Sequence, residues 1–107
     1  MKTEKKKLEA SRRDLMRQLK RIGPVIGDTV VVVQRKCGKE SCACHRNGPK
    51  HPAMFVTWKE KGKSRALYVP RGKEAEVRRW AENHKALRAL IRRITEVQKR
   101  IIRLRED

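Results

Sequence analysis

The sequence predicts an α+β fold, in which an N-terminal helix precedes a small three-stranded antiparallel sheet and a long C-terminal amphipathic helix. Apolar residues recur with helical spacing near both ends of the chain, and short β-branched and aromatic runs lie in the middle. Glycine and proline separate these segments. We therefore divide the chain into residues 1–27, 28–70 and 71–107, and expect them to form one structural domain around a modest core.

The first helix is predicted over residues 4–22. Leu8, Leu15 and Ile22 recur at intervals of seven residues, which places them on one face of a helix. Gly23-Pro24 then ends the helix, because proline cannot continue the hydrogen-bond ladder and glycine accommodates the turn.

Three strands are predicted, at Thr29–Val33, Met54–Lys59 and Ser64–Val69. The valine run in the first is long enough for a strand that is buried on both faces. Residues 60–63 join the other two strands as a hairpin, in which Gly62 can adopt a positive φ.

Alternation along the second strand places Met54, Val56 and Trp58 on one face. We expect Ala66 and Tyr68 of the third strand to contact the same core. Trp58 and Tyr68 could instead stack on nucleobases, but aromatic residues are so scarce in this chain that the core interpretation is preferred.

The C-terminal helix is predicted over residues 73–105, with Trp80 one heptad before its apolar stripe. A helix of this length extends beyond a small sheet, so its distal half needs another partner. The first helix, a second copy in a coiled coil, or a different protein could provide it. The stripe that would form this interface comprises Leu87, Leu90, Ile94, Val97, Ile101 and Leu104.

The net charge is +18, from 30 basic and 12 acidic residues, and each of the three segments contributes +6. Such a chain favours a polyanionic partner, and DNA or RNA is the commonest one. No apolar stretch follows the basic residues 2–7, so we expect no secretory signal, no membrane partner, and a cytoplasmic protein that could associate with the nucleoid.

The middle of the chain holds a motif with the spacing C-x4-C-x-C-x6-H, formed by Cys37, Cys42, Cys44 and His51. Thiolates and imidazole are the ligands that zinc prefers, and three clustered cysteines in a reducing compartment are typical of metal ligands rather than disulfides. We expect Cys42 and Cys44 to point the same way in extended backbone. The bound Zn²⁺ would connect the first strand to the hairpin.

Two alternatives stay open at this motif. His45 competes with His51 for the fourth position, although adjacent residues such as Cys44 and His45 rarely ligate one tetrahedral ion without strain. The three cysteines could also be reactive thiols beside basic neighbours. An enzyme is not expected, because the nearest carboxylate, Glu40, lies inside the loop and no acid orients a base.

Basic residues surround the proposed metal loop and the hairpin tip. Such a tip can follow phosphates or enter a groove, or its charge can simply keep a hairpin soluble. The candidate nucleic-acid contacts are Arg35, Lys36, Lys39, Arg46, Lys50, Lys59, Lys61, Lys63 and Arg65.

About residues 28–105 resemble an uncharacterised prokaryotic family of short basic proteins that are often encoded near phage or transposon genes. Five features carry the resemblance: Cys37-Gly38-Lys39, Cys42-Ala43-Cys44, Pro52, Trp58 and Tyr68-Val69-Pro70. The chain departs from the family's His-Gly-Pro-aromatic pattern, because it has Lys-His-Pro-Ala at residues 50–53. The resemblance implies a mobile-element or host-regulation setting and supplies no reaction.

Together these observations predict a zinc-stabilised, non-enzymatic protein that binds nucleic acid through its basic surface. The alternatives are an adaptor that docks through its long helix on a recombinase or nuclease, and a subunit of a ribonucleoprotein. The sequence leaves open whether the target is DNA or RNA, duplex or single-stranded.

Overall fold

The computed structural model describes residues 2–36, 38–46 and 48–104, and it confirms the predicted α+β arrangement. The elements in chain order are α1 (Lys2–Arg21), β1 (Thr29–Arg35), β2 (His51–Glu60), β3 (Lys63–Val69) and α2 (Glu74–Arg103). Short 3-10 helices precede β2 at Ala43–His45 and α2 at Arg71–Lys73.

The chain divides into two compact units. The helical unit comprises Met1–Ile26 and Trp80–Asp107, and the sheet unit comprises Gly27–Arg79. The boundaries at residues 27 and 70, which the sequence predicts, stay a prediction.

In the helical unit, α1 packs along the distal part of α2. Leu8 and Leu15 of α1 and Leu90 of α2 are buried. Arg12 Nη1 donates a hydrogen bond of 2.8 Å to Gln98 Oε1, which also joins the two helices. The first helix therefore covers the apolar stripe, which is one of the three arrangements that the sequence allows.

The other stripe residues are half-buried beside α1. An interface between this stripe and a second copy or another protein stays a prediction. These half-buried residues are Leu87, Ile94, Val97, Ile101 and Leu104.

The segment after α1 is bound to α2 by two hydrogen bonds. The Ile26 amide donates to the carbonyl of Trp80 at 3.2 Å, and Asn83 Nδ2 donates to the carbonyl of Pro24 at 2.9 Å. Because proline carries no amide hydrogen, its carbonyl is the only backbone group through which Pro24 can form such a bond.

The sheet unit contains one antiparallel sheet with the strand order β1-β2-β3. The register pairs Met54 with Val32 and Val69, so these side chains share a face. Met54 is only 1% exposed, and Val56 and Val69 are also buried on this face, which we call the apolar face. Trp58 is half-buried beside them, so the predicted grouping of Met54, Val56 and Trp58 is confirmed.

Two predictions about the strands are wrong. Tyr68 is paired with Phe55 rather than with Met54, so Tyr68 and Ala66 lie on the opposite face and are exposed. The valine run of β1 is not buried on both faces, because Val32 and Val33, which lie on opposite faces, are 47% and 41% exposed.

The turn between β2 and β3 has the predicted conformation. Lys61 and Gly62 have φ values of 51° and 78°, which is the pattern of a two-residue type I′ hairpin turn. Such turns match the twist of the flanking strands, so the turn fixes the register that pairs Glu60 with Lys63.

β2 begins three residues earlier than the sequence predicts, and it includes Pro52. β3 ends at Val69, the partner of Met54, so Pro52 has a neighbour only on the β1 side, where it pairs with Gln34. A proline without an amide hydrogen is tolerated where one edge of a strand is unpaired.

Among the described residues, no helix combines the length and apolar character needed to cross a membrane.

Candidate metal centre and basic surface

Three of the predicted ligands converge at the start of β2. The ligand atoms of Cys42, Cys44 and His51 all lie within 4.8 Å of one another, which is close enough to bind one metal ion. Cys42 Sγ lies 3.1 Å from His51 Nε2. Cys44 is 2% exposed, whereas Cys42 and His51 are half-buried. The predicted convergence of these three side chains is confirmed.

The local backbone explains how two cysteines so close in sequence can share a site. Cys42 is extended, with φ −70° and ψ 144°, and the chain then turns into the 3-10 helix at Ala43–His45. The amide of His45 donates to the carbonyl of Cys42 at 3.1 Å. The expected extended geometry for both cysteines is therefore wrong, and a tight turn brings their sulfur atoms together instead.

Gly48 closes the turn because its backbone lies directly against Ala43. The Gly48 amide donates to the Ala43 carbonyl at 2.8 Å. A Cβ atom at Gly48 would lie 2.5 Å from that carbonyl oxygen and 2.7 Å from the Ala43 Cβ. Only glycine allows this approach, and Ala43 lies between the two clustered cysteines.

We predict that Gly48→Ala weakens metal binding by about tenfold or more, equivalent to about 1.4 kcal/mol. The added methyl group must push the backbone away from Ala43 and so separate the ligands. Gly38→Ala is the matched control, since nothing lies within 4 Å of the corresponding Cβ position. Competition titrations of Zn²⁺ against a chromophoric chelator would measure both affinities, and equal affinities for the two variants would contradict the proposed role of Gly48.

The remaining candidates at this motif have different positions. Cys37 lies outside the described residues. His45 is half-buried in the 3-10 helix and does not belong to the group of converging ligands that the described residues form. The structure therefore brings His51, rather than His45, to the two cysteines.

The donor set matches the chemistry of a borderline-soft metal. Ligands at about 2.0–2.3 Å from a tetrahedral ion lie about 3.3–3.8 Å from one another. The three ligand atoms lie within 4.8 Å of one another, and two sulfur atoms with one imidazole nitrogen are ligands typical of zinc sites rather than of calcium or magnesium sites.

The nine basic residues predicted to contact nucleic acid all belong to the sheet unit, and all nine are exposed. Glu60, at the hairpin tip, lies 3.7 Å from Arg65 Nε and partly offsets its charge. The sheet unit as a whole contains 13 basic and 5 acidic residues. Its surface is therefore strongly positive around the metal loop and the hairpin tip.

Sequence reasoning missed an aromatic cluster on the exposed face of the sheet. The Phe55 and Tyr68 rings meet edge to face, with centroids 5.6 Å apart. Arg35 Cζ lies 5.3 Å from the Phe55 centroid and 5.5 Å from the Tyr68 centroid. The alternation along β2 is a signal for Phe55, because it places this residue on the face opposite to Met54 and Val56.

The fold and the site define a small basic α+β protein with a Cys₂His cluster beside a three-stranded antiparallel sheet. Residues 5–79 match the Domain of unknown function (DUF6788), which is more than half of the chain, and the chain belongs to this family. Comparisons with curated proteins and with solved structures found no match.

The family assignment agrees with the predicted resemblance to an uncharacterised family, and it shifts the limits of that resemblance. The matched region includes most of α1, which the resemblance over residues 28–105 left out, and it ends at residue 79, within α2. The association with mobile elements stays a prediction.

Proposed function

We propose that this protein is a non-enzymatic nucleic-acid-binding protein whose sheet unit is stabilised by Zn²⁺. The observation that carries the proposal is the set of nine exposed lysine and arginine side chains around the metal loop and the hairpin tip. Lysine and arginine bind phosphates with a gain in affinity from counterion release, and a surface of this kind is the usual electrostatic signature of nucleic-acid binding.

The zinc ligands in this proposal are Cys37, Cys42, Cys44 and His51. Arg35, at the end of β1, is the register partner of His51, and Cys37 follows Arg35 by two residues in the sequence. Two residues span at most about 7 Å, so this sequence separation is compatible with Cys37 as the fourth ligand. A zinc ion bound by these residues would cross-link the end of β1, the loop and the start of β2, and so stabilise the sheet unit.

A structural zinc site fits the composition of the sheet unit. The apolar face buries few large side chains, and Met54 is the most deeply buried of them. Small domains with cores of this size commonly rely on a metal for stability. Three thiolates and one imidazole would also fill all four positions, whereas catalytic zinc sites keep one position for water or substrate.

The proposal is tested by measuring the affinity of the purified protein for a labelled duplex and a labelled single strand at about 50 and about 200 mM salt. If three to five phosphates are contacted, the affinity should fall by roughly 40- to 500-fold for the duplex and by roughly 20- to 130-fold for the single strand, since log K falls with log[salt] at about 0.9 per contact for a duplex and about 0.7 for a single strand. Binding that is absent, or that is unchanged by salt, would contradict the proposal.

A regulatory or accessory role in a mobile-element setting is part of the same proposal and is supported by the predicted resemblance alone. A pull-down of the tagged protein from cells, followed by sequencing of the bound nucleic acid, would test it. Recovery of phage or transposon sequences no more often than other sequences would count against that setting.

A further inference from the structure

We infer that the sheet face carrying Arg35, Phe55 and Tyr68 is a stacking platform for single-stranded nucleic acid. This inference rests on the proposed function and names its target more narrowly, as unpaired bases rather than duplex. We call this surface the aromatic face.

The aromatic face is formed by the strand register, not by neighbouring residues in the sequence. Phe55 of β2 pairs directly with Tyr68 of β3, so their side chains lie on the same face. Arg35 of β1 pairs with His51, four residues before Phe55 on β2, and alternation places it on the same face. One residue from each strand therefore contributes to the platform.

Arg35 must extend along the sheet to reach both rings. Between His51 and Phe55 on this face lies Ala53, whose short side chain leaves room for such an extension. Ala53 is buried, although most of its neighbours on this face are not. The guanidinium then lies within the distance of about 6 Å at which a cation interacts with an aromatic ring.

The exposure of this cluster distinguishes a binding surface from a structural contact. A cluster that served stability alone would bury its rings, as the apolar face buries Met54 and Val56. Phe55 is half-buried, whereas Tyr68 is 47% exposed and Arg35 is exposed beside it. The Phe55–Tyr68 pair thus presents aromatic surface to solvent in a chain that has only four aromatic residues.

The charge of the aromatic face matches a nucleic-acid strand. Lys59 lies on this face near the hairpin tip, eight residues from His51 along β2, which is a distance of about 27 Å. Within the described strands 29–35, 51–60 and 63–69, the only charged residues that alternation places on this face are Arg35 and Lys59, and both are basic. Bases stacked on these rings would therefore have the Arg35 guanidinium beside them and Lys59 about 13 Å farther along β2, and both cationic groups can contact phosphates.

Single strands are favoured over duplexes because the aromatic rings can stack only on base faces that are uncovered. In a duplex, each base face is covered by its neighbours, so an aromatic ring on a sheet can stack only on unpaired bases. Exposed aromatic residues on a β-sheet, combined with basic groups along the backbone path, bind single strands with little sequence preference.

The test compares Tyr68→Ala with Tyr68→Phe and with Leu67→Ala, using oligo-dT, oligo-U and a DNA duplex of equal length. Loss of stacking at Tyr68→Ala should weaken binding of the single strands by about 5- to 150-fold and leave duplex binding nearly unchanged. Tyr68→Phe keeps the ring and should bind normally. Leu67 is 59% exposed on the other face and is the matched control.

A second measurement uses the fact that Tyr68 is the only tyrosine. Incorporation of 3-fluorotyrosine into the full chain gives one fluorine signal, which should shift when oligo-dT or oligo-U binds and stay in place with duplex. This readout needs no destabilising substitution, so it remains informative even if Tyr68→Ala unfolds.

The possible results separate this inference from the proposed function. Suppose that Tyr68→Ala lowers the affinity for single strands and for duplex equally, or lowers neither affinity, while binding stays salt-dependent. The stacking platform is then wrong and the proposed function stands. An unmoved fluorine signal at saturating oligonucleotide would overturn the platform in the same way. If the wild-type protein binds none of the three probes, both ideas fail. A shift with only one of oligo-dT and oligo-U supports the platform and identifies the strand that it prefers.

Discussion

Replacing Cys44 with serine is expected to weaken metal binding strongly. Among the ligands that the structure describes, Cys44 is the most deeply buried, at 2% exposed, whereas Cys42 and His51 are half-buried. Structural zinc contributes about 10–16 kcal/mol of apparent binding free energy in zinc-finger peptides. Loss of one ligand in four should remove about a quarter of this, which lowers the affinity roughly 10²- to 10³-fold.

Measuring the metal content of variants would show whether His51 or His45 is the fourth ligand. His51→Asn should lower the affinity nearly as much as Cys44→Ser, because Nε2 lies 3.1 Å from Cys42 Sγ. His45→Asn is the matched control, since His45 lies in the same loop but outside the converging group. Native mass spectrometry and metal analysis would give the metal-to-protein ratio of each variant. Retention of the metal by His51→Asn and its loss from His45→Asn would reverse the ligand assignment.

The effect on folding should be local to the sheet unit. The proposed ion ties the end of β1 to the start of β2, where Arg35 pairs with His51. Removal of the metal should therefore increase amide hydrogen exchange first at this end of the sheet, before it affects the pairs near the hairpin turn. If a chelator leaves exchange in the whole sheet unit unchanged, the structural role of the metal is wrong.

The metal motif could be predicted because its geometry is local. One residue separates Cys42 from Cys44, and His51 begins the next strand, so spacing alone brings them near one another. The backbone conformation of the loop, a tight turn after Cys42, could not be predicted. It depends on the contact of Gly48 with the Ala43 backbone, for which the sequence carries no signal beyond the glycine itself.

Which face of each strand is buried was harder to predict than where the strands lie in the sequence. A run of valines favours a β-strand but does not say whether the strand is central or at an edge, and here it forms the edge strand β1. The side of Tyr68 depends on its pairing with Phe55, and a register shift of one residue would move it to the other face. The sequence offered Tyr68 as a stacking residue, and alternation placed Phe55 opposite Met54, but only the long-range register brings these two rings together.

The basic hairpin tip should dominate the electrostatic part of binding. Lys59, Lys61 and Lys63 are exposed around a turn whose backbone is fixed by positive φ at two residues, so their charges are presented on a rigid element. Replacing all three with glutamine should reduce the slope of log K against log[salt] by up to about 2.7 for a duplex and about 2.1 for a single strand, because each phosphate contact contributes about 0.9 or about 0.7 respectively. The affinity at about 0.15 M salt should then fall on the order of 100-fold.

A matched triple variant in the helical unit distinguishes direct contacts from general charge. Lys20, Lys85 and Lys99 are also exposed, and their replacement with glutamine removes the same net charge. Lys85 and Lys99 lie 3.4 Å from Glu82 and Glu96, so their charges are partly offset already. Binding titrations across a salt series should show a much smaller change in slope for this variant. Equal losses in the two triple variants would mean that net charge alone attracts the nucleic acid and that the hairpin tip makes no specific phosphate contacts.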